Sequence, residues 1–470
     1  MQRSVVEGAV KLAGLELPDG LEFEVLGEEP ILRSPHYLGT GAAVARLLTG
    51  VGAGEMWRTR TGERQSLTVD ARHAAAALTS YSHLRLTDPA EPPSFDRLGV
   101  GRVVGGIVPA RGGRYVQLHS SFNDGPTVLE ELGLGPDASR EEVETAVAAR
   151  DAFDLERAFI RRKVCGGVVM SKDEWAAHPQ GRAIADWPVV RITKIGEAPR
   201  EPLPAGDRPA SGVRVVDLTR VLAGPTCAKT IAEHGADVLH VTAPHLDRVG
   251  PFDIETGIGK RQASLDLDVP EQAEIMRSLI SEADVFSQGY RLGTLARRGL
   301  APEMLARLRP GIVCVSENCY GHVGPWSERP GWEQLGQAAT GMSYREGTAS
   351  SAGVPRLAPA AVNDYSTGYL AAYGAMMALA RRATEGGSWH VQVSLAQTCT
   401  WYQRLGDDND KHRADPGDVS TFLAEMDTPY FGRIQYLAPA LSMSVTEPRW
   451  DLPPAPSGTH GPVWMTRSLG

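Results

Sequence analysis

Apolar and polar positions alternate with two different periods along the second half of the chain. VRVVDLTR (213–220) and ADVLHV (236–241) are short apolar runs of strand length, whereas AGPTCAKTIAEHGA (223–236) has helical spacing with Pro225 near its start. A strand, a helix and a second strand in this order predict a βαβ unit.

The alternation continues to residue 319. Helices are expected over 268–283, opened by Asp268 and Pro270, and over APEMLARLRP (301–310), while ADVFSQ and GIVCVSENC have strand patterns. Strands that alternate with helices over so long a stretch predict an α/β fold built on a doubly wound, mostly parallel sheet.

A linker and a smaller unit precede this region. GEAPREPLPAGDRPASG (196–212) contains four prolines and several charges that interrupt the apolar pattern. Upstream of it, GRYVQLHS (113–120) has a strand pattern and the run 139–163 is strongly helical. We expect a small α+β unit over 113–195.

The N-terminal segment resembles a later part of the same chain. GERQSLTVDARHAAAAL (62–78) and GGSWHVQVSLAQTCTWY (386–402) each contain a glycine, an alternating strand and a small-residue helix at similar spacing. The segments before them also match loosely, and in that alignment Tyr37 falls opposite Asp364. We therefore expect a partial internal repeat.

The composition is that of a globular protein, because 42% of the 470 residues are apolar. A formal net charge of -9 without a Lys/Arg-rich run argues against nucleic acid or an anionic membrane as a partner. No apolar run reaches the length of a membrane span, and MQRSVVEGAV does not resemble a signal peptide. The five cysteines show neither a CxxC pair nor metal-ligand spacing, so a cytoplasmic protein without a bound metal is expected.

One acidic residue lies in an otherwise small and apolar stretch, VNDYSTGYL (362–370), at the start of an alanine-rich helical run. Asp364 belongs to a residue type that is preferred at a helix N-cap. A carboxylate beside the positive end of a helix dipole is also kept ionised, which suits a nucleophile. The two interpretations are compatible, and residue type alone leaves both open.

Four stretches share their order and spacing with one known family. They are 213–241, GKRQASLDLD (259–268), ADVFSQGYRLGTLARRGL (283–300) and GHVGPWSERPGWEQLGQAATG (321–341). They resemble the class III CoA-transferases, the family of formyl-CoA transferase, carnitine CoA-transferase and α-methylacyl-CoA racemase. The resemblance covers residues 212 to about 402. It implies a Rossmann-like, CoA-binding large domain accompanied by a smaller α+β domain.

The resemblance places Asp364 at the catalytic aspartate of the family. The carboxylate of that residue attacks the thioester carbonyl of an acyl-CoA and forms a mixed anhydride. Coenzyme A then returns to give an aspartyl-CoA thioester, and an incoming carboxylic acid takes over the CoA. The implied substrates are an acyl-CoA and a small carboxylic acid, with no permanently bound cofactor. The interlocked dimers of the family imply a homodimer.

The resemblance also assigns residues to the coenzyme A path. Arg220, Val221, Leu222 and Ala223 would line the thiol and pantetheine, Arg261 and Leu265 would lie near the nucleotide, and Tyr290 and Arg297 would flank it. For each of them, the alternative is a surface arginine or a core side chain without contact to a ligand.

Trp332 and Glu333 are the implied substrate-binding residues. The racemases carry a histidine at the position of Trp332, and tryptophan cannot accept or donate the α-proton, so Trp332 favours transfer over racemisation. A packed core aromatic is the alternative for Trp332. Glu333 either hydrogen-bonds near the nucleophile or is a solvated helix residue.

Several features depart from the family pattern. Gly289 replaces the asparagine of the family's Asn-Phe pair, and the segment before Lys260 is short and lacks a part of the acyl pocket. The small-domain-like region also precedes the nucleotide-binding region instead of following it. Two alternatives therefore stay open, an α-methylacyl-CoA racemase or epimerase and a catalytically idle CoA-binding subunit.

The expected layout has five parts. They are a partial repeat of half a large domain (1–112), a small α+β domain (113–195), a linker (196–212), a Rossmann-like catalytic domain (213–402) and a C-terminal return segment (403–470). Only the fourth part carries the motifs of the family.

Overall fold

The computed structural model describes most of the chain. The described residues are 1–86, 103–120, 122, 124–349, 353–359, 361–408 and 417–466. Parts of the predicted domains, among them 87–102 and 409–416, lie outside these ranges. The division into five parts stays a prediction.

The described residues form sixteen α-helices. They are α1 (Arg3–Leu12), α2 (Leu38–Thr61), α3 (Ala71–Ala77), α4 (Gly125–Leu132), α5 (Arg140–Ala148), α6 (Ala152–Arg162), α7 (Lys172–Ala177), α8 (Pro179–Ile184), α9 (Ala223–Ala232), α10 (Gly250–Gly257), α11 (Pro270–Ser281), α12 (Pro302–Leu308), α13 (Glu333–Thr340), α14 (Met342–Thr348), α15 (Val362–Glu385) and α16 (Leu395–Arg404).

The same residues form sixteen β-strands. They are β1 (Phe23–Leu26), β2 (Leu67–Asp70), β3 (Arg85–Leu86), β4 (Gly105–Ala110), β5 (Arg114–His119), β6 (Gly166–Val168), β7 (Arg191–Gly196), β8 (Arg214–Leu218), β9 (Asp237–Thr242), β10 (Arg261–Ser264), β11 (Val285–Gln288), β12 (Val313–Asn318), β13 (Ser388–Ser394), β14 (Leu423–Thr428), β15 (Gly432–Leu437) and β16 (Ser442–Met443).

A seven-stranded sheet with the strand order β10-β9-β8-β11-β12-β13-β7 forms the centre of the molecule. Its strands pair in parallel except for β7, which runs antiparallel to β13 at one edge. Buried valines dominate β8, β9 and β12, as expected for parallel strands that are covered on both faces. The prediction of an α/β fold with a mostly parallel sheet is confirmed.

The predicted helices and strands between 213 and 319 are all present, but the start of α11 differs from the expected one. Val269 is the residue that precedes this helix, and Pro270 is its first residue. The carboxylate of Asp268 does not cap the helix and instead accepts a hydrogen bond from Arg298 Nε at 3.1 Å. The expectation that Asp268 opens α11 is therefore wrong.

A three-stranded antiparallel sheet of β4, β5 and β6 lies beside the central sheet, together with helices α4 to α8. The helical run predicted over 139–163 is divided into α5 and α6. Ser139 and Glu142 form a capping box at the start of α5. Asp151 accepts hydrogen bonds from Phe153 N and Asp154 N, both at 3.0 Å, and so begins a second helix within the predicted helical run.

The internal repeat corresponds to two matching arrangements. Helices α2 and α15 are each 24 residues long, and each is followed by a strand and a short helix. The two long helices can be aligned at the glycines that follow them, Gly62 and Gly386. In this alignment Thr40 lies opposite Asp364. The expected match of Asp364 with Tyr37 is wrong by three positions, since it relied on a loose alignment before the helix start.

Glycines in α2 permit close packing against two later helices. An added Cβ at Gly52 would lie 3.2 Å from Tyr373 O of α15, and one at Gly41 would lie 2.2 Å from Tyr402 of α16. The C-terminal strands return to the N-terminal segment, because β16 pairs with β2 and β15 pairs with β3. None of the helices in the described part of the chain has the length and apolarity needed to cross a membrane.

Candidate active site

Asp364 lies in the first turn of α15 and is 8% exposed. Ala361 is the residue that precedes the helix, so Asp364 is its third residue and makes no capping hydrogen bond. The N-cap interpretation is therefore wrong. The position at the positive end of the helix is as expected.

Glu333 supplies the cap that the start of α15 lacks. Its Oε2 accepts a hydrogen bond from Asp364 N at 3.1 Å, and its Oε1 accepts one from Asn363 N at 3.3 Å. Gln337 Nε2 donates to Oε1 at 2.7 Å and holds the carboxylate from the other side. Glu333 is buried, so the alternative of a solvated helix residue is wrong.

The nucleophile candidate and its neighbour are difficult to ionise. Burial raises the pKa of Asp364 well above its usual range, and the charges of Glu333 and Glu317 raise it further. Burial also raises the pKa of Glu333 to about 7, against the hydrogen bonds that favour its charged form. The helix dipole favours the ionised form of Asp364, whereas burial and the two neighbouring carboxyl groups oppose it. That the dipole keeps Asp364 ionised stays a prediction.

The loop between β8 and α9 has a strained backbone beside Asp364. Val221 has a φ of 71°, in the left-handed region that a β-branched residue rarely adopts. The next residue, Leu222, precedes the helix without a side-chain cap. Strain of this kind persists only where the surrounding structure imposes it, and it concentrates at functional sites.

A cavity of about 420 Å³ opens beside Asp364. It is lined by Thr79, Tyr81, His119, Ser120, Phe122, Val221, Leu222, Val249, Phe252, Trp332, Glu333, Gln334, Gln337, Leu357, Ala358, Pro359, Ala361 and Asp364. Five residues singled out from the sequence thus line one space, namely Val221, Leu222, Trp332, Glu333 and Asp364. Its volume is within the range of small-molecule sites.

Trp332 forms part of the cavity wall and contacts other aromatic rings. The ring of His119 stacks on it with centroids 6.0 Å apart, and the ring of Phe122 meets it edge-on at 5.9 Å. His119 and Phe122 come from the region of the small sheet, whereas Trp332 precedes α13. The aromatic wall therefore joins two distant parts of the chain.

Arg220 lines a narrow cleft next to the cavity. Its guanidinium lies 4.6 Å from the ring centroid of Phe122, which lines both spaces. Burial lowers the pKa of Arg220, and Tyr290 lies near enough to raise it. Ala223 is buried as the first residue of α9.

Three residues predicted to contact the nucleotide, Arg261, Leu265 and Arg297, line neither the cavity nor the narrow cleft. Arg261 makes a bidentate ion pair with Asp237, with Nε–Oδ1 and Nη2–Oδ2 distances of 3.0 Å each, and donates to Val463 O at 2.6 Å. Leu265 is 4% exposed and packs in the core beside the sheet. Arg297 is exposed on a short 3₁₀ turn. The geometry gives Arg261 and Leu265 structural roles and does not support their assignment to the nucleotide.

Glu317 at the end of β12 was not identified from the sequence. It accepts a hydrogen bond from the backbone N–H of Gly224, and burial raises its pKa to about 8. An added Cβ at Gly289 would lie 2.6 Å from Glu317 Oε1. The sequence offered one sign of Glu317, namely a glycine at position 289 where the family has asparagine. The missing side chain of Gly289 leaves the space that the carboxyl of Glu317 fills.

Other lining residues carried no signal in the sequence. Tyr81 belongs to the N-terminal segment, and its backbone N–H donates to Tyr365 OH at 3.0 Å. Phe252 packs edge-on against the ring of Tyr81 at 4.9 Å. Within the described ranges, no group of three His, Cys, Asp or Glu side chains is arranged to hold a metal ion.

Comparisons with known proteins agree with the motifs of the second half. Residues 210–406 match the family described as CoA-transferase family III. An acyl-CoA transferase of Gibberella moniliformis is 36% identical over 309 residues, which cover 61% of this chain and 54% of that protein. The acetyl-coenzyme A transferase nodX of Hypoxylon pulicicidum is 32% identical over 365 residues, with 71% and 60% covered.

One solved structure is also similar over part of its length. A CAIB/BAIF family protein from Brucella suis is 29% identical, with a TM-score of 0.38, and the match covers 42% of this chain and 55% of that one. The chain spans somewhat more than half the length of the two fungal relatives. Residues 210–406 of the chain are thus similar to CoA-transferase family III.

Proposed function

We propose that the protein is a CoA-transferase that moves CoA from an acyl-CoA to a carboxylic acid, with Asp364 as the nucleophile. The observation that carries the proposal is the carboxyl of Asp364 in the wall of a 420 Å³ cavity, at a helix start that Glu333 holds in place. The match of residues 210–406 to CoA-transferase family III supports it. The fungal relatives' names, which refer to acyl-CoA and acetyl-CoA transfer, are consistent with it.

The proposed path of CoA follows from the strand order. Numbered along the chain, the six parallel strands lie in the order 3-2-1-4-5-6, which is that of Rossmann sheets. Such sheets bind ligands where the crossovers diverge, here between β8 and β11. In this proposal, the pantetheine passes between Val221 after β8 and Tyr290 after β11, and Arg220 and Arg297 lie toward the nucleotide.

The proposed reaction has four steps and no net proton transfer. The carboxylate of Asp364 attacks the thioester carbon, the C–S bond breaks, and CoA leaves as a thiolate from a mixed anhydride. The thiolate attacks the aspartyl carbon of the anhydride, which releases the first carboxylate and forms an aspartyl-CoA thioester. The acceptor carboxylate then forms a second mixed anhydride and releases the thiolate. Attack of the thiolate on the acceptor carbonyl gives the new acyl-CoA and restores Asp364.

Two further properties are proposed. The cysteine pattern favours a protein that acts in the cytoplasm, and analogy with the family favours a homodimer. Size-exclusion chromatography with light scattering tests the homodimer directly, and a mass equal to one chain contradicts it.

A trapping experiment tests the reaction. Incubation of the protein with butyryl-CoA and hydroxylamine should yield a hydroxamate on Asp364, which mass spectrometry of the digested protein detects. The Asp364→Asn variant, which has a similar shape, is the control and should give no adduct. Absence of the adduct in the unaltered protein, under conditions where CoA binds, would favour an idle CoA-binding subunit.

A second candidate function, racemisation of an α-methylacyl-CoA, rests on His119. This imidazole lines the same cavity as Asp364, and burial lowers its pKa to about 4, so that it is neutral and able to accept a proton at pH 7. Exchange of the α-hydrogen with deuterated water, in the absence of an acceptor acid and abolished by His119→Gln, would favour this function over transfer.

A further inference from the structure

We propose that the cavity accepts acyl groups that are uncharged along their whole length and discriminates against acyl groups that end in a second carboxylate. The proposal rests on the proposed function, because it assumes that the acyl group lies beside Asp364. It defines the substrate class as monocarboxylic acyl-CoA.

The charges around the cavity lead to this proposal. Among the described residues that line it, none is a lysine or an arginine. The one imidazole in the wall, that of His119, is neutral at pH 7 because burial lowers its pKa to about 4. Two carboxyl groups, those of Asp364 and Glu333, lie in the same wall. Among the described residues of the wall, a distal carboxylate would therefore lie beside two carboxyl groups and meet no cationic side chain.

The arginines nearest in the chain to the cavity wall are already engaged. Arg220 lies over the ring of Phe122, on the side of the neighbouring cleft, and donates a hydrogen bond to Asp247 O. Arg248 Nε is 2.7 Å from Asp253 Oδ2, and Arg356 Nη2 is 3.5 Å from Glu346 Oε2. A reorientation of any of the three guanidinium groups toward the cavity would give up these contacts.

The remaining wall is mostly apolar. Val221, Leu222, Phe252, Trp332 and Leu357 supply aliphatic and aromatic surface. Transfer of an ionised carboxylate from water to such surroundings is costly unless a hydrogen-bonded cation compensates it, whereas a methyl-terminated chain gains from leaving water. The volume of about 420 Å³ suits a short or medium acyl chain.

Two donors with the same number of carbon atoms test the proposal. The full chain is incubated with hydroxylamine and either butyryl-CoA or succinyl-CoA, and the rate of adduct formation on Asp364 is followed by mass spectrometry. Butyryl-CoA should react at least about 100-fold faster, because succinyl-CoA must desolvate a second carboxylate. Comparable rates would overturn this proposal and leave the proposed function intact. Adduct formation with neither donor would overturn both.

A cation introduced into the wall provides a second measurement. Gln334 lines the cavity from the first turn of α13 and is partly exposed, so a lysine can replace it without entering the core. Gln334→Lys should reduce the preference for butyryl-CoA at least about tenfold, since it supplies the missing partner. Gln334→Met has a similar length without charge and should keep the preference. An unchanged preference in Gln334→Lys would contradict the charge argument.

Discussion

Asp364 and Glu333 occupy one desolvated space, and the charge of Glu333 makes Asp364 harder to ionise. Glu333 has two effects on Asp364, because it accepts the hydrogen bond from the Asp364 backbone and also brings a second carboxyl close to the nucleophile. The first effect orients the side chain. The second raises the pKa of a group that must be ionised to attack. The two carboxyls are expected to titrate as a pair.

Replacement of Glu333 by glutamine distinguishes the effect of the Glu333 charge from the effect of its hydrogen bonds to the start of α15. Glu333→Gln keeps an acceptor for the backbone of α15 but removes the charge, so the pKa of Asp364 should fall. The acidic limb of the pH profile of kcat/KM should then move about one unit lower, as measured by CoA transfer to an acceptor acid.

Glu333→Ala serves as the comparison, because it loses the acceptor as well as the charge. It should unfold at lower denaturant concentration, with a loss of about 1–2 kcal/mol. If the acidic limb of Glu333→Gln coincided with that of the unaltered protein, the carboxyl of Glu333 would not act on Asp364.

Glu317 and Gly289 form a second pair of residues that depend on each other. Gly289→Asn introduces a Cβ about 2.6 Å from Glu317 Oε1 and should destabilise the protein by about 1–3 kcal/mol. Glu317→Ser removes the obstructing carboxyl, so the double variant should regain at least about 1 kcal/mol in a double-mutant cycle of urea unfolding. Additive effects would show that the two side chains do not share the space.

Helix α15 presents Asp364 at one end because its neighbours approach its backbone closely. At Gly368, one turn after Asp364, an added Cβ would lie 2.5 Å from Ala223 O and 2.6 Å from Thr226 Cβ of α9. The glycine therefore permits α9 and α15 to touch near the cavity. The DxxxG spacing in the sequence thus reflects helix packing as well as chemistry.

A matched pair of alanine substitutions tests this role of glycine. Gly368→Ala should destabilise the protein by about 1–3 kcal/mol, because α9 and α15 must separate. Gly54→Ala lies in α2 with nothing within 4 Å of the added Cβ, and it should stabilise by up to about 1 kcal/mol through helix propensity. Urea unfolding of both variants gives the comparison. Equal effects at the two positions would contradict the close approach at Gly368.

The matching arrangements at α2 and α15 share one further element. In the first, Glu29 Oε1 accepts a hydrogen bond from Thr40 N at 2.9 Å. In the second, Glu333 Oε2 accepts one from Asp364 N at 3.1 Å. A glutamate thus holds the third residue of each helix, but only the second helix has a carboxylate there. The N-terminal arrangement keeps the helix start and lacks the carboxyl group that we propose as the nucleophile.

Buried titratable groups across the molecule make its stability depend on pH. Burial holds the pKa of Glu317 at about 8 and those of Glu333 and Glu346 at about 7. It lowers the pKa values of His36, His73, His119 and His322 to about 4 and that of His390 to about 3. The histidines bind fewer protons when folded, but only below their unfolded pKa of about 6.5.

Above pH 6.5 the carboxyl groups with raised pKa values, those of the three glutamates and of Asp364, act on stability in the same direction. The folded state keeps protons that the unfolded state has already lost, so stability must fall as pH rises toward 8. The free energy of unfolding, measured by urea titration, should decrease by about 2 kcal/mol between pH 6.5 and 8. Glu317→Gln with Glu346→Gln should flatten this slope. A free energy that rises over this range would show that the glutamates are ionised in the folded protein.

Local patterns were enough to predict the α/β part of the fold. The buried strands β8, β9, β11 and β12 and the helices between them follow from apolar periodicity, because each run carries its own signal over a few neighbouring residues. Motif spacing also drew attention to Asp364, which lies in the cavity wall, and its role as the nucleophile stays a prediction. Apolar periodicity and motif spacing are both short-range properties of the chain.

Contacts between segments that are distant in the sequence determined the rest of the candidate site and the surroundings of Asp364. Glu333 caps a helix that begins about thirty residues later, His119 and Tyr81 reach the cavity from other units, and Arg261 is held by Asp237 across two strands. Desolvation of Asp364 likewise depends on everything packed around it, so its raised pKa could not be inferred from a helix position. Burial and long-range hydrogen bonds arise only when the chain is folded, which is why residue order alone gave Asp364 its place but not its environment.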